Sequence, residues 1–253
     1  MEKNGNNYAM KKMILRNKIE IKKNQDQTDL VYDFIQKTKT NGFIKIYGAQ
    51  CIKVTSAEFH FYVLMELADI DWETEIKRRK EQKNYYNEGE FFNILKQLVE
   101  TFSLLQRNNI THRVIKPQNF LIVNGVYKVC VFGEAKVNEG SDIIRLTIKG
   151  TELYTSPILF RALNKRQNQL IHNSYKSDVF SLGKCLLLSA TLTFQSFYDI
   201  RELKDMARIK NILVKYLIAK YSYDFVHILV KMLEINENSR PDFIELQKIL
   251  AKK

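Results

Sequence analysis

The hydrophobic periodicity of the chain changes near residue 68, and this change constrains the fold more than any other feature. Before that point the sequence predicts three strands and one helix, at 8–15, 43–54, 59–67 and 27–39. After it, apolar residues recur mostly at helical spacing. A small sheet-rich part followed by a larger helical part predicts an α+β fold, a single domain with lobes at 1–68 and 69–253.

Two local signals fix elements in the second part. Asn87 precedes Glu90 by three residues, which is the spacing of a capping box and predicts the start of an amphipathic helix ending near Asn108. Asn124-Gly125 separates two short apolar runs and predicts a tight hairpin, because a type I′ turn needs positive φ at both positions. Further helices are predicted at 177–192, 223–234 and 241–252.

Composition limits the class of protein. The chain has 253 residues, of which 45% are hydrophobic, enough for one domain with a sizeable core. No apolar run approaches the roughly 18 residues of a membrane span, and the polar start does not resemble a signal peptide. We therefore expect an intracellular protein, located in the cytoplasm. The formal charge of +12 predicts an acidic partner, either a protein surface, RNA or anionic lipid.

Two motifs flank the predicted hairpin. One is His112-Arg113-Val114-Ile115-Lys116-Pro117-Gln118-Asn119 and the other is Val131-Phe132-Gly133. They resemble the catalytic loop and the metal-binding loop of eukaryotic protein kinases, which read His-Arg-Asp-x-Lys-Pro-x-Asn and Asp-Phe-Gly. Further matches follow the family's order: Ala9-Met10-Lys11, Gly150-Thr151, Ser156-Pro157, Ser177-Asp178 and Arg240-Pro241. The resemblance covers residues 8 to 250 and implies a bilobal fold, with a small antiparallel-sheet lobe and a larger helical lobe.

Two acids of the family are replaced by valine. The catalytic-loop aspartate handles the proton of the substrate hydroxyl, but here that position is Val114. The metal-loop aspartate holds Mg²⁺, but here that position is Val131, which has no oxygen to offer. The resemblance makes Lys11, Lys116 and Asn119 the remains of a nucleotide site. On this interpretation neither ATP nor Mg²⁺ is expected to bind, and no other metal site is predicted.

The resemblance assigns structural roles to a second set of residues: Asp33, His112, Arg113, Phe132, Gly133, Asp178 and Arg240. In the family, a glutamate of the small-lobe helix forms an ion pair with the ATP-contacting lysine, which is matched here by Lys11. Asp33 is the nearest match to that glutamate. Ile158 stands where the family has the glutamate that pairs with the arginine matched by Arg240. Since an unpaired buried charge is costly, we expect Arg240 to find another acid or to place its head in solvent.

The front of the chain also departs from the family. Seven residues precede Tyr8, where the family has two strands and a Gly-rich loop. We therefore expect either a truncated small lobe or an incomplete sequence. The predicted strand at 8–15, which carries Lys11, would then have an outer edge with no neighbouring strand. Native proteins usually cover such an edge. A partner strand is predicted to pair along this edge, at Tyr8, Met10, Lys12 and Ile14.

These departures predict a catalytically inactive scaffold, a pseudokinase that binds an acidic protein partner such as a filament or large complex. A cytoskeletal or ciliary assembly is one location that this interpretation allows. Three alternatives stay open: an atypical Ser/Thr protein kinase with residual phosphotransfer, a nucleotide-binding switch, and a basic RNA-binding module. Nucleotide titration with and without Mg²⁺ separates the first two, and a steep salt dependence of RNA affinity would mark the third.

Overall fold

A computed structural model describes residues 2–3, 6–130, 135–137, 143–147, 151–201 and 205–252. The chain folds as two compact units, one of Met1–Asp71 with Phe120–Gly133 and the other of Trp72–Asn119 with Glu134–Lys253. The division follows Asp71 rather than residue 68, and the segment after Asn119 returns to the first unit. A small antiparallel-sheet unit and a larger helical unit confirm the predicted α+β class.

The elements below are those of the described residues. The strands are β1 (Glu2–Lys3), β2 (Asn6–Leu15), β3 (Ile46–Lys53), β4 (Phe59–Glu66), β5 (Ile70–Asp71), β6 (Ile110–Thr111), β7 (Phe120–Val123), β8 (Val126–Val129), β9 (Lys136–Val137), β10 (Ile143–Thr147) and β11 (Gln169–Asn173). The α-helices are α1 (Lys18–Thr38), α2 (Trp72–Glu81), α3 (Glu88–Arg107), α4 (Pro157–Asn164), α5 (Ser174–Thr191), α6 (Gln195–Arg201), α7 (Met206–Leu217), α8 (Tyr223–Met232) and α9 (Phe243–Leu250).

The main sheet of the first unit has the antiparallel order β1-β2-β4-β3. Its inner face buries Leu15, Phe61 and Val63 in one cluster, against which Ile21 of α1 packs. β4 pairs with β2 along the whole of Tyr8 to Leu15 on one side. On the other side β1 pairs only with the first two residues of β2, so within the described ranges the rest of that edge has no strand partner.

A β-hairpin completes the first unit, as predicted. Asn124 and Gly125 have φ values of 50° and 75°, and β7 and β8 pair on either side of them. The Lys128 ammonium of β8 is buried, and it donates to both carboxylate oxygens of Glu66 at 2.9 and 2.8 Å and to Asn41 at 2.9 Å. This buried ion pair links the hairpin to β4.

The helix α1 begins nine residues before its predicted start. The Asn17 side chain accepts a hydrogen bond from the Glu20 amide at 2.9 Å, so an N-cap signal lies in the sequence but precedes a polar stretch. The helix ends where Lys39 adopts the left-handed conformation, with φ of 52°, and donates its N–H to the Ile35 carbonyl. Capping therefore sets both ends of α1.

The second unit is built around the buried helix α5. The predicted capping box of α3 is confirmed, because the Asn87 side chain accepts from the Glu90 amide and the Glu90 carboxylate accepts from the Asn87 amide. The helix α7 was not predicted, although Asp205 caps it. No helix within the described ranges is both long and apolar enough to cross a lipid bilayer.

Candidate functional site

Lys11 lies at a cavity of the first unit, with a volume of about 70 Å³. The α1 side chains that line it are uncharged: Asn24, Gln27, Thr28 and Val31. Among the described lining residues there is no carboxylate, so none neutralises the Lys11 ammonium there. A cation without an acidic neighbour is a suitable contact for a phosphate group.

Asp33 does not line this cavity. Successive residues of an α-helix turn by about 100°, so Asp33 points away from the face that carries Thr28 and Val31. Its side chain is exposed to solvent. The structure therefore does not bring Asp33 to Lys11, and the α1 residues that do face the lysine cavity lie earlier in the helix.

Cys130 lines the same cavity, next to the predicted metal loop. Burial raises the pKa of its thiol to about 12, while the nearby Lys11 opposes the shift and Asp71 adds to it. This thiol is therefore protonated and unreactive at neutral pH. Val131, Phe132 and Gly133 of the predicted metal loop lie outside the described residues.

The catalytic-loop motif of the second unit is held by the carboxylate of Asp178. One oxygen of Asp178 accepts the His112 amide at 3.0 Å, and the other accepts the Arg113 amide at 3.0 Å. Arg113 has a φ of 72°, a conformation that is unfavourable for a residue other than glycine. Burial raises the pKa of Asp178 to about 7, and the two backbone donors oppose that shift.

Asn119 closes the same loop on itself. Its side-chain amide donates to the Val114 carbonyl at 2.6 Å, and its backbone amide donates to the Lys116 carbonyl at 2.9 Å. The first bond uses the backbone of residue 114, so it does not depend on which side chain that residue carries. Val114 and Lys116 are both half-buried.

Sequence reasoning missed a contact of this loop. Gln118 donates from its side-chain amide to the Glu73 carboxylate, which also accepts from Lys77 at 3.0 Å. The contact ties the first turn of α2 to the motif. Gln118 occupies a variable position of the family motif, and Glu73 lies 45 residues away in sequence, so no local pattern connects the two.

The sequence left two outcomes open for Arg240, an acidic partner or a solvated head. It is 1% exposed, and its guanidinium donates to three backbone carbonyls, those of Glu234 at 2.7 Å, Lys176 at 3.0 Å and Ile235 at 3.3 Å. Burial lowers its pKa to about 10, which Glu237 and Glu234 partly offset. The head is therefore not solvated: peptide oxygens satisfy its buried donors, and Glu237 and Glu234 are the acids that favour its charge.

The described residues offer little to a metal ion. They contain no group of three or more His, Cys, Asp or Glu side chains placed to hold one. Of the motif positions that bind metal in the family, Asn119 supplies an amide oxygen, whereas Val131 supplies none. Mg²⁺ prefers near-octahedral sets of oxygen ligands, which Val131 and the single amide oxygen of Asn119 do not supply by themselves.

Comparison with known proteins gives consistent results. A model of the protein kinase domain matches residues 1–251. A Dictyostelium discoideum protein named as the probable serine/threonine-protein kinase nek3 is 32% identical over 193 residues, which are 73% of this chain and 16% of that protein. The Schizosaccharomyces pombe serine/threonine-protein kinase cds1 is 33% identical over 152 residues, 58% of this chain and 32% of that protein.

A third relative, the mouse dual specificity protein kinase TTK, is 31% identical over 153 residues, 56% of this chain and 17% of that protein. The chain thus spans a third or less of the length of these curated relatives. All three are named as kinases, and this finding overturns the prediction of a catalytically inactive scaffold. The alternative of an atypical kinase agrees better with the relatives.

Proposed function

Because this chain belongs to the protein kinase domain family, we propose that it is an atypical serine/threonine protein kinase that transfers phosphate slowly to a protein hydroxyl. The main support for this proposal is the set of hydrogen bonds that fixes the conformation of the catalytic loop. The Asp178 carboxylate holds the amides of residues 112 and 113, and Asn119 holds the carbonyl of residue 114. A loop kept in this conformation can still position a substrate hydroxyl, and positioning is a main part of phosphoryl-transfer catalysis.

One lysine of the first unit would supply positive charge to the phosphates of ATP. Lys11 lines a cavity whose described lining contains no carboxylate. Its ammonium can bind and orient an anionic phosphate group, and charge stabilisation is usually the largest single contribution that an enzyme makes to such a reaction. The sequence expectation that ATP does not bind is untested, and this proposal requires the opposite.

The valine in the catalytic loop explains why transfer is expected to be slow. Val114 cannot accept the proton of the substrate hydroxyl, and a missing general base costs about 10²–10⁴-fold in rate. The hydroxyl proton would pass to solvent water as ADP leaves, and the remaining acceleration would come from binding and orientation. No step of this proposal is assigned to a metal ion.

We propose a protein with an acidic surface as the substrate, because the chain carries a net charge of +12. Strand pairing at the outer edge of β2 is a second proposed contact, through Tyr8, Met10, Lys12 and Ile14. RNA is a less favoured partner. The cytoplasmic, cytoskeletal or ciliary location stays a prediction that imaging of a tagged chain would test.

A phosphotransfer assay tests the proposal. The purified chain would be incubated with radiolabelled ATP and dephosphorylated casein, an acidic protein substrate. We expect slow labelling that the Lys11→Met variant abolishes. Lys53→Met is the matched control, because Lys53 is an exposed lysine of the same sheet that belongs neither to the Lys11 cavity nor to the outer edge of β2. Labelling that persists in Lys11→Met, or that never exceeds a blank without protein, would refute the proposal.

Nucleotide titration followed by thermal unfolding separates this proposal from its rivals. ATP stabilises a protein by RT ln(1 + [L]/Kd) if it binds the native state. Stabilisation without any phosphotransfer would support the nucleotide-binding switch instead. No stabilisation at millimolar ATP would argue against both readings.

A further inference from the structure

A groove lies between the C-terminal end of α1 and the start of β3, inside the first unit. It has a volume of about 350 Å³, within the size range of ligand sites. Its described lining, which we call the α1–β3 groove, is Tyr32, Ile35, Gln36, Lys39, Thr40, Lys45, Ile46 and Tyr47. Ile46 also lines the Lys11 cavity, whereas the other seven residues do not.

The groove combines aromatic walls with an apolar floor. Tyr32 is 40% exposed and Tyr47 is 51% exposed. Of the two isoleucines in the lining, Ile35 is buried and Ile46 is half-buried. Tyr47 is held in place by an edge-to-face contact with Tyr8, at 5.2 Å between ring centroids. Such a surface fits an apolar or aromatic side chain.

The charge of the groove is positive. Lys39 and Lys45 are the charged residues of the described lining, both are exposed, and no carboxylate belongs to it. Glu66, the acid that acts on Tyr47, is already paired with the buried Lys128 at 2.8 Å. The groove therefore presents two cations whose charge is not balanced by a described lining residue.

The backbone on both sides of the groove is fixed before any ligand binds. Lys39 holds its left-handed conformation through its N–H bond to the Ile35 carbonyl at 2.9 Å. The Lys45 amide donates to Glu66 at 3.2 Å, and the Glu66 amide donates to the Lys45 carbonyl at 2.9 Å. A site on a fixed backbone loses less entropy when it binds a ligand.

We propose that the α1–β3 groove binds an acidic peptide segment of a partner protein, with one aromatic side chain of that segment seated between Tyr32 and Tyr47. The carboxylates beside the anchor would pair with Lys39 and Lys45. Two flexible ammonium groups over an apolar floor suit carboxylates flanking an aromatic residue. The described lining contains no arginine, the residue that most often binds phosphate in a bidentate geometry.

Peptide binding measured by fluorescence anisotropy tests the proposal without nucleotide, so its outcome is independent of kinase activity. The probe is a labelled pentapeptide with a central tryptophan between two pairs of glutamates. We expect it to bind the full chain at least tenfold more tightly than the same peptide with alanine at the centre. A peptide with lysines in place of the glutamates should not bind.

Two substitutions locate the binding. Lys39→Asn removes a charge while keeping a residue that tolerates positive φ, and Lys45→Gln removes the second charge. Together they should weaken binding by about tenfold, the scale of two partly screened ion pairs. Lys53→Gln is the matched control, an exposed lysine at the far end of β3 and outside the groove, and it should leave binding unchanged.

Several outcomes would overturn the proposal. They are failure of the glutamate–tryptophan peptide to bind, equal affinity for the alanine-centred peptide, and equal losses from Lys53→Gln and the double variant. Displacement of the peptide by an equal concentration of oligouridylate would assign the groove to RNA and would also overturn it. The affinities are compared only between variants whose melting temperature lies within 2 °C of that of the parent chain.

Discussion

Replacement of Asp178 is the perturbation whose cost the structure specifies best. Its carboxylate accepts the amides of His112 and Arg113 at 3.0 Å each, and its side chain is buried. Asp178→Ala removes both acceptors. Each buried amide left without a partner costs about 1–3 kcal/mol, so the free energy of unfolding should fall by about 2–6 kcal/mol. Asp178→Asn keeps one oxygen and should cost less than the alanine variant.

Urea denaturation measures these losses, and amide hydrogen exchange at residues 112 and 113 locates them. Because the chain has two units, exchange is needed to assign the change to the second one. Asp26→Ala is the control, since Asp26 is exposed on α1, and a surface change of this kind costs within about 0.5 kcal/mol. The reasoning is refuted if Asp178→Ala costs no more than this control.

The pH dependence gives a second check on Asp178. Its folded-state pKa, about 7, lies above the ordinary value of 3.8, so the native protein binds more protons than the unfolded chain between these pH values. The stabilisation from this group is therefore complete below pH 3.8 and is lost as the pH rises through 7. Asp178→Asn should remove that trend. A variant whose stability follows the same pH profile as the parent chain would contradict the assignment.

Four other predictions rest on single residues. Val114→Asp should raise phosphotransfer by about 10²–10⁴-fold if a general base is what the loop lacks, and an unchanged rate would exclude that explanation. Arg240→Met should lower the free energy of unfolding by about 3 kcal/mol or more in urea, since three buried carbonyls lose their donor. Burial lowers the pKa of His172 below 6.5, so stability should fall as the pH drops through that value, and His172→Gln should flatten the curve. Iodoacetamide at pH 8 should label Cys51, which is half-buried, before Cys130, whose pKa is raised to about 12, as peptide mass spectrometry would show.

Local signals were sufficient for the elements that depend on neighbouring residues. The capping box at Asn87 and the turn at Asn124-Gly125 are each completed within a few residues, so their sequence patterns identify them. The start of α1 was missed because its cap, Asn17, precedes a polar stretch in which the apolar periodicity is weak. Periodicity alone does not reveal such a start.

In the candidate site, too, sequence patterns identify the local features and miss those that depend on distant segments. The catalytic-loop motif is contiguous, and it identified residues 112–119 directly. The contact of Gln118 with Glu73 and the burial of Arg240 depend on segments that are distant in sequence and meet only in the fold. The uncharged lining of the Lys11 cavity likewise follows from the rotation of α1, which the motif does not encode.

Because main-chain oxygens bind the Arg240 guanidinium, the residues that supply these oxygens can tolerate side-chain changes. Every amino acid carries the same carbonyl, so residues 176 and 235 can change their side chains and keep these hydrogen bonds, whereas the carboxylate of Glu234 also favours the charge of Arg240. Arg240 therefore keeps hydrogen-bond partners with Ile158 at the position where the family has a glutamate.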